Sequence, residues 1–387
     1  MKELYDIIII GAGPAGLNAG MNITKAGLNV SVLIVDKTVP WDKPIPCAEG
    51  VGKLGFHGAV KLKPSWIRQE IYKAKFHSPD GSFVTYHDRH GGYIINRALM
   101  QQDMMVELTT GGVESILNKK VKHISTPNKG IREVFFDDGE KTSAKVIIDA
   151  SGPIGGFGKT ENISVKPIDL EPSYFAVVEN ISLENDCIHI YAGKKIAPGG
   201  YAWVFPRGEN SANIGIVLGR DAVKQVNLRT VLEDFIAGNF PDAKILQRYA
   251  GTIPCDYKKV PIAIPGLIKA GDSASTVNPI SRAGISEALL CGAMAGTAAL
   301  RMLQAKSTRE TRTICKEYQD EWYRKKGNRH HKLAKLKRSL AMIPDEDYNR
   351  GTQTLLSIPR EELTLSKIFT VSLKRFPRLV WAMRHLV

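Results

Sequence analysis

The sequence predicts an α/β fold: a parallel, Rossmann-like sheet, a second half built on an antiparallel sheet, and a helical C-terminal tail. Three observations predict it. The first is IIIIGAGPAG, residues 7–16, where four isoleucines run into glycines at GxGxxG spacing. The second is short apolar alternation from Lys166 to Tyr257, the period of half-buried strands. The third is a long helix rich in Ala and Gly, Arg282 to Leu303, followed by a strongly basic run.

Each segment has its reason. Four consecutive isoleucines read as a strand buried on both faces of a parallel sheet. Gly11 makes the tight turn, Gly13 lets backbone N–H groups approach a pyrophosphate, and Gly16 lets the next helix pack close. The pyrophosphate would rest on the helix N-terminus, where unpaired N–H groups and the helix dipole favour negative charge. A second buried strand, Val30 to Val35, ends in Asp36, 20 residues beyond Gly16, where a ribose hydroxyl needs an acceptor. Strand, glycines, helix, strand and terminal acid together specify a dinucleotide site.

The loop WDKPIPCAEGVG, Trp41 to Gly52, is stiffened by its prolines and carries Cys47. That thiol is either a small buried filler or a residue facing a cofactor. Ile71 to Tyr86 alternates as paired strands around the turn Pro79-Asp80-Gly81, and a helix begins near Asn96-Arg97. Val121–Ile124, Glu133–Asp137 and Thr142–Ile148 read as a small sheet with Asp138-Gly139 as a hairpin turn. KVIIDASG, Lys145 to Gly152, reads as a returning strand of the nucleotide-binding sheet. In the second half, strands are expected at Tyr174–Asn180, Ile188–Ala192, Tyr201–Phe205 and Ala212–Leu218, with a helix at Leu228–Gly238. IKAGDSAST, Ile268 to Thr276, returns the chain to the first sheet.

Composition narrows the function classes. The five cysteines are scattered with no CxxC pair, which argues against a disulfide framework or a cysteine-ligated metal and suits a reducing cytosol. Nothing near Met1 resembles a signal peptide and no apolar run is long enough to span a bilayer, so a cytoplasmic protein is expected. The net charge is +14, and from Arg301 onward 20 Lys+Arg face 9 Asp+Glu, leaving +3 for residues 1–300. The basic run Trp322 to Arg338 is a solvated helix face or a peripheral contact with anionic lipid on the cytoplasmic side of a membrane. Leu365 to Val387 spaces apolar residues at helical steps. No nucleic-acid motif accompanies the charge, so no nucleic-acid partner is expected.

The order of GxGxxG, DASG and AGDSA resembles FAD-binding proteins of the p-hydroxybenzoate-hydroxylase-like structural group. Within it, Pro198-Gly-Gly-Tyr201-Ala-Trp203-Val-Phe205-Pro206 matches the PxxYxWxFP motif of geranylgeranyl reductases at every defined position. Cys47-Ala48-Glu49-Gly50 matches their Cys-x-Glu-Gly loop. Gly271-Asp272-Ser273-Ala274, Pro279 and Gly284-Ile285 match their late segment. The resemblance covers about residues 1–305. It departs at Ser151-Gly152, where the hydroxylases have Asp-Gly, and at Arg97-Ala-Leu-Met, where the reductases often have Phe-Asp.

The resemblance implies FAD as cofactor. The contacts it implies are Gly11, Gly13, Ala15, Gly16, Asp36, Lys37, Cys47, Ala48, Arg97, Gly152, Gly271, Asp272, Gly284 and Ile285, with Asp272 on ribityl hydroxyls. It implies reduction of isoprenoid double bonds of a prenyl lipid, fed by an external donor: a ferredoxin, a quinol or NAD(P)H. No carbonyl polarises such an alkene, so reduced flavin must supply hydride while a proton arrives at the other carbon. An N–H cluster at Ala283-Gly284-Ile285 would face the anionic edge of reduced flavin. Tyr201, Trp203 and Phe205 share one strand face, as an apolar wall for a polyprenyl chain or as ordinary sheet core. The catalytic set is therefore Cys47, Tyr201 and Trp203. The proton source stays open among Cys47, Tyr201, Glu49 and water. Rival readings are a monooxygenase or halogenase on the same fold, or an electron carrier to quinone. An FAD-binding domain is expected over 1–70, 93–165 and 258–305, a substrate domain over 71–92 and 166–257, and a basic helical region over 306–387.

Overall fold

The computed structural model describes residues 1–42, 45–153, 156–163, 167–224, 226–257, 260–359 and 363. The apolar pattern expected over Leu365–Val387 lies outside the described residues.

In chain order, β1 (Leu4–Ile10) leads through the glycine turn to α1 (Pro14–Lys25) and back to β2 (Val32–Val35). An excursion follows: β3 (Gly50–Gly52), α2 (Lys53–His57), β4 (Ile67–His77), β5 (Phe83–Ile95) and α3 (Arg97–Thr110). The chain returns with β6 (Glu114–Ile116), β7 (Val121–Ile124), β8 (Arg132–Phe136) and β9 (Lys141–Asp149). The second half holds β10 (Pro167–Glu179), β11 (Cys187–Tyr191), β12 (Tyr201–Pro206), β13 (Ser211–Val217), α4 (Leu228–Asn239) and β14 (Lys244–Tyr257). Then come β15 (Ala263–Ile264), β16 (Leu267–Lys269), α5 (Ile285–Gln304), α6 (Thr308–Trp322), α7 (Asn328–Leu340) and α8 (Asp345–Leu356).

The first sheet runs β15-β16-β9-β1-β2-β6, with the β7–β8 hairpin attached to β9. Its core pairs β16–β9, β9–β1, β1–β2 and β2–β6 are parallel. Ile7, Ile8 and Ile9 are fully buried, with Ile7 and Ile9 packing on one face and Ile8 on the other. The expected small sheet at 121–148 is not a separate unit. Its third strand and the DASG strand are one element, β9, which pairs with β1 on one edge and β8 on the other.

Helices α1 and α5 cover one face of this sheet. Their close approach explains the Ala and Gly content of α5. A Cβ on Gly292 would lie 2.1 Å from the Ala15 carbonyl oxygen, and one on Gly296 would lie 2.6 Å from that of Ala19. The helix starts at Ile285 rather than Arg282, because Asn278–Ala283 forms a tight turn.

The second sheet runs β14-β10-β13-β12-β11-β4-β5-β3. It departs from the expected all-antiparallel pattern at one junction: β11 pairs with β4 in parallel, because that edge joins distant segments rather than a hairpin. It also takes in residues 50–52 and 67–95, more of the early chain than the expected 71–92. Strand β14 was not expected. It is an edge strand that contains Gly251 and Pro254 and is mostly solvated, so it lacks an apolar run.

The basic run forms a continuous helix from α6 through a π-helical turn, Tyr323–Gly327, into α7. It is more than a solvated face. Trp322, Tyr323, His330 and Lys337 are buried.

Candidate active site

The glycine turn is shaped by contacts that leave no room for a side chain. Gly11 has φ of 109°, and a Cβ there would sit 2.3 Å from the Ala150 carbonyl oxygen at the end of β9. A Cβ on Gly16 would sit 1.9 Å from the Gly11 oxygen. At Gly13 a Cβ would meet nothing within 4 Å, so this position opens onto free space. Gly13 caps α1 without any side-chain hydrogen bond and Pro14 follows it. The first-turn N–H groups are thus exposed to a ligand, as a pyrophosphate requires.

Asp36 stands beside this turn at the end of β2. One carboxylate oxygen accepts from the Ala12 N–H at 2.8 Å, and the other from Thr38 N and Oγ1 at 2.9 and 3.0 Å. It braces the turn with both oxygens, and it is not among the residues that line the cavity described below. Lys37 next to it is exposed and is not among the residues that line the cavity described below.

A cavity of about 860 Å³ opens between the two sheets, within the roughly 300–1,000 Å³ typical of small-molecule sites. It brings together Gly13, Ala15, Cys47, Ala48, Arg97, Gly152, Tyr201, Trp203, Gly271, Asp272, Gly284 and Ile285. At one end lie the two uncapped helix starts, at Gly13 and Gly284. Asp272 projects there with no hydrogen-bond donor from the described residues. Burial pushes its carboxyl up to about 6, and the Arg97 guanidinium opposes that rise.

At the other end the second sheet forms an apolar floor. Tyr201, Trp203 and Phe205 share the cavity face of β12, while Ala202 and Val204 pack on the opposite face. The floor continues across the strands through Ile188, Ala74, Phe76 and Tyr86. Tyr201 donates its hydroxyl to the Ser281 carbonyl at 2.6 Å. Burial pushes that hydroxyl up to about 12, so it stays protonated.

Several further residues hold the predicted ones, and of these Asn213 and Gln101 belong to no motif in the sequence. Asn213 accepts from the Trp203 indole N–H at 2.8 Å and donates to the Cys47 carbonyl at 3.0 Å, tying wall to loop. Gln101 accepts from Arg97 Nε at 2.8 Å and donates to the Ala12 carbonyl at 3.2 Å, tying Arg97 to the glycine turn. Glu49, at φ of 64°, accepts from the Arg97 N–H and pairs with Arg207 at 3.0 Å and Arg68 at 3.7 Å. Under the site, Lys269 and Asp149 form an ion pair at 2.7 Å with both side chains fully buried. The Asp of DASG was the one available signal for that pair. Glu49 was signalled by the CAEG loop, whereas Asn213 and Gln101 lie far from their partners in the chain and leave no local pattern. Cys47 accepts from the Glu49 N–H and, among the described residues, donates to none.

These features fit FAD. The open cradle at Gly13 suits a pyrophosphate, the carboxylate of Asp272 suits polyol hydroxyls, and the adjoining apolar space suits a ring system. The family model for the geranylgeranyl reductase catalytic domain matches residues 169–253, and that for lycopene cyclase protein matches residues 6–165. Digeranylgeranylglycerophospholipid reductase 2 of Methanococcoides burtonii is 31% identical over 395 residues, covering 99% of this chain and 96% of the relative. Reductase 1 of the same organism is 28% identical, covering 100% and 96%. A geranylgeranyl bacteriochlorophyll reductase-like protein of Thermoplasma acidophilum shares the fold, with a TM-score of 0.87 and 22% identity over 100% of both chains. A flavin-dependent brominase variant follows at a TM-score of 0.72 and 16% identity, covering 99% of this chain and 98% of its own. Matched over almost its whole length, with the cofactor cradle and the YxWxF wall facing one cavity, the chain belongs to the geranylgeranyl reductase family of FAD-dependent flavoproteins.

Proposed function

We propose that the protein saturates isoprenoid C=C bonds of a digeranylgeranylglycerophospholipid in this cavity. The observation that carries the reading is that the cofactor cradle and the aromatic wall of β12 share one continuous space. FAD supplies the hydride-transfer chemistry when bound. The chain's own residues then orient and shield. Trp203 and Tyr201 give the isoprenoid a flat apolar wall, and the surrounding floor excludes water. Interactions that hold the alkene against the ring system reduce the entropy cost of reaction. Cys47 borders the same space from the opposite loop.

The finer parts of this reading concern delivery. Tyr72 and Phe76 both line the cavity and are exposed, 41% and 36%, which marks an apolar mouth at the β4–β5 hairpin. No helix of the described residues is long and apolar enough to cross a membrane. A lipid substrate therefore points to peripheral contact with a bilayer, and the exposed cations Arg324, Lys325, Arg329 and Lys335 support it. Electrons come from an external carrier. Anaerobic, dithionite-reduced protein incubated with the unsaturated lipid is expected to add hydrogen in pairs, read by mass spectrometry. Substrate-dependent oxygen uptake, or halide incorporation without hydrogenation, would place the chain with the oxygenases or halogenases instead.

A further inference from the structure

Beside the cofactor cradle lies a group of four charges, three of them buried and Asp169 half-buried, that no motif announces. Glu171 of β10 is 1% exposed. One of its oxygens accepts from Arg282 Nε at 2.8 Å and the other from Lys337 Nζ at 2.8 Å. Lys337 also reaches Asp169 at 2.6 Å. Two carboxylates and two cations therefore balance. Arg282 has further partners. It donates to the Ile280 carbonyl at 2.7 Å and to the Gly199 carbonyl at 3.3 Å, and its guanidinium lies 4.9 Å from the centre of the Tyr201 ring. Tyr201 in turn donates to Ser281 O, next to Arg282. Arg282 itself sits at φ of 55°, a left-handed conformation that a non-glycine residue keeps only when its surroundings hold it there.

These bonds join three parts of the site. Gly199 and Tyr201 belong to the PGGYAWVFP segment. Ile280 to Gly284 is the turn that ends at the uncapped start of α5 beside Asp272. Lys337 belongs to α7, beyond the span where the family motifs lie. We propose that Arg282 is a positioning residue: it fixes the Ser281–Gly284 turn against Tyr201, and Lys337 completes the hold by aligning Glu171. Helix α7 is then a working part of the active site. A fixed turn would hold the N–H groups at the start of α5 toward the cavity, where they would favour the anionic reduced form of a bound flavin.

The test rests on FAD binding and not on the identity of the lipid, so its failure is distinguishable from failure of the proposed function. Arg282→Lys keeps the charge balance and removes the fork that reaches the two carbonyls. The FAD-loaded full-length variant is expected to melt near the parent. Its flavin midpoint potential is expected to fall by the equivalent of about a tenfold loss in relative affinity for reduced flavin, about 30 mV for a two-electron couple. With the lipid, kcat should fall by about tenfold or more while KM changes little, because misplacement rather than binding is affected. Glu171→Gln with Lys337→Met, which removes one charge of each sign, tests the same hold from the far side and is expected to shift the potential in the same direction. An unchanged potential in whichever variants load FAD, even with a lowered melting temperature, would show that the cluster only stabilises the fold and would overturn the proposal. Failure of both variants to take up FAD while Arg301→Lys, an exposed control, loads normally would overturn it too, since the cluster would then serve the fold as a whole.

Discussion

Trp203 meets both descriptions that its sequence motif allowed, cavity wall and sheet core. It lines the cavity, yet it is only 5% exposed and packs against Phe175 and Val217. Gly215 opposite has no room for a Cβ, which would fall 2.1 Å from the indole ring. Truncation to Ala therefore removes core as well as wall and is expected to cost about 3–5 kcal/mol, which makes Trp203→Ala a poor probe of substrate binding. Trp203→Phe is the better one. It keeps an aromatic wall and strips the indole N–H from Asn213, at a cost of roughly 1–3 kcal/mol for the buried acceptor left unpaired. Because Asn213 also holds the Cys47 carbonyl, turnover is expected to fall while FAD is retained. Melting temperature, flavin content and turnover on one preparation check this. Undiminished turnover would show that the Asn213 link has no part in the reaction.

At the scale of elements, the cofactor end of the site depends on how β9, β16 and the two covering helices meet. Asp149 and Lys269 sit on these neighbouring parallel strands, paired in register and sealed from solvent. Removing one partner strands a buried charge. Lys269→Met is expected to destabilise by about 3–5 kcal/mol, and the double change Asp149→Leu with Lys269→Met should recover most of that loss. Denaturant titration of the three proteins distinguishes this from ordinary loss of packing, since packing loss would make the double variant worse than the single. Helix α5 was legible as a long apolar helix, but its register was not. The alanines and glycines indicate a close neighbour, and only the structure shows that Gly292 and Gly296 rest on the backbone of α1 at Ala15 and Ala19.

At the scale of the whole molecule, the C-terminal helices change meaning. Read as charge alone, residues 301–387 are a basic tail. In the fold, Tyr318 donates to the Lys269 carbonyl at 2.6 Å, Trp322 is 1% exposed, and Lys337 is consumed by Glu171 and Asp169. Ile314, Tyr318, Trp322 and Tyr323 are all buried. Each such side chain contributes on the order of 1.5–3 kcal/mol, against a total stability of roughly 5–15 kcal/mol for a typical domain. A chain ending at Gln304 is accordingly expected to be insoluble or free of flavin. A soluble, yellow truncated protein would show instead that α6–α8 are dispensable.

The sequence by itself determined the parts of this protein whose cause is local. The glycine turn, the buried isoleucine strand, Asp36 at the end of β2 and the one-sided aromatics of β12 follow from residue size and from strand or helix period, which act within a few residues. Tertiary structure alone decided the parts whose cause is distance in the chain. These are the parallel junction of β11 with β4, the edge strand β14, the links from Asn213 to Cys47 and from Gln101 to Ala12, and the burial of Lys337. Each joins groups 89 to 166 residues apart or strands with no shared hairpin. A buried polar group must find a partner somewhere, but nothing in the local pattern says which one, and folding alone brings the two together.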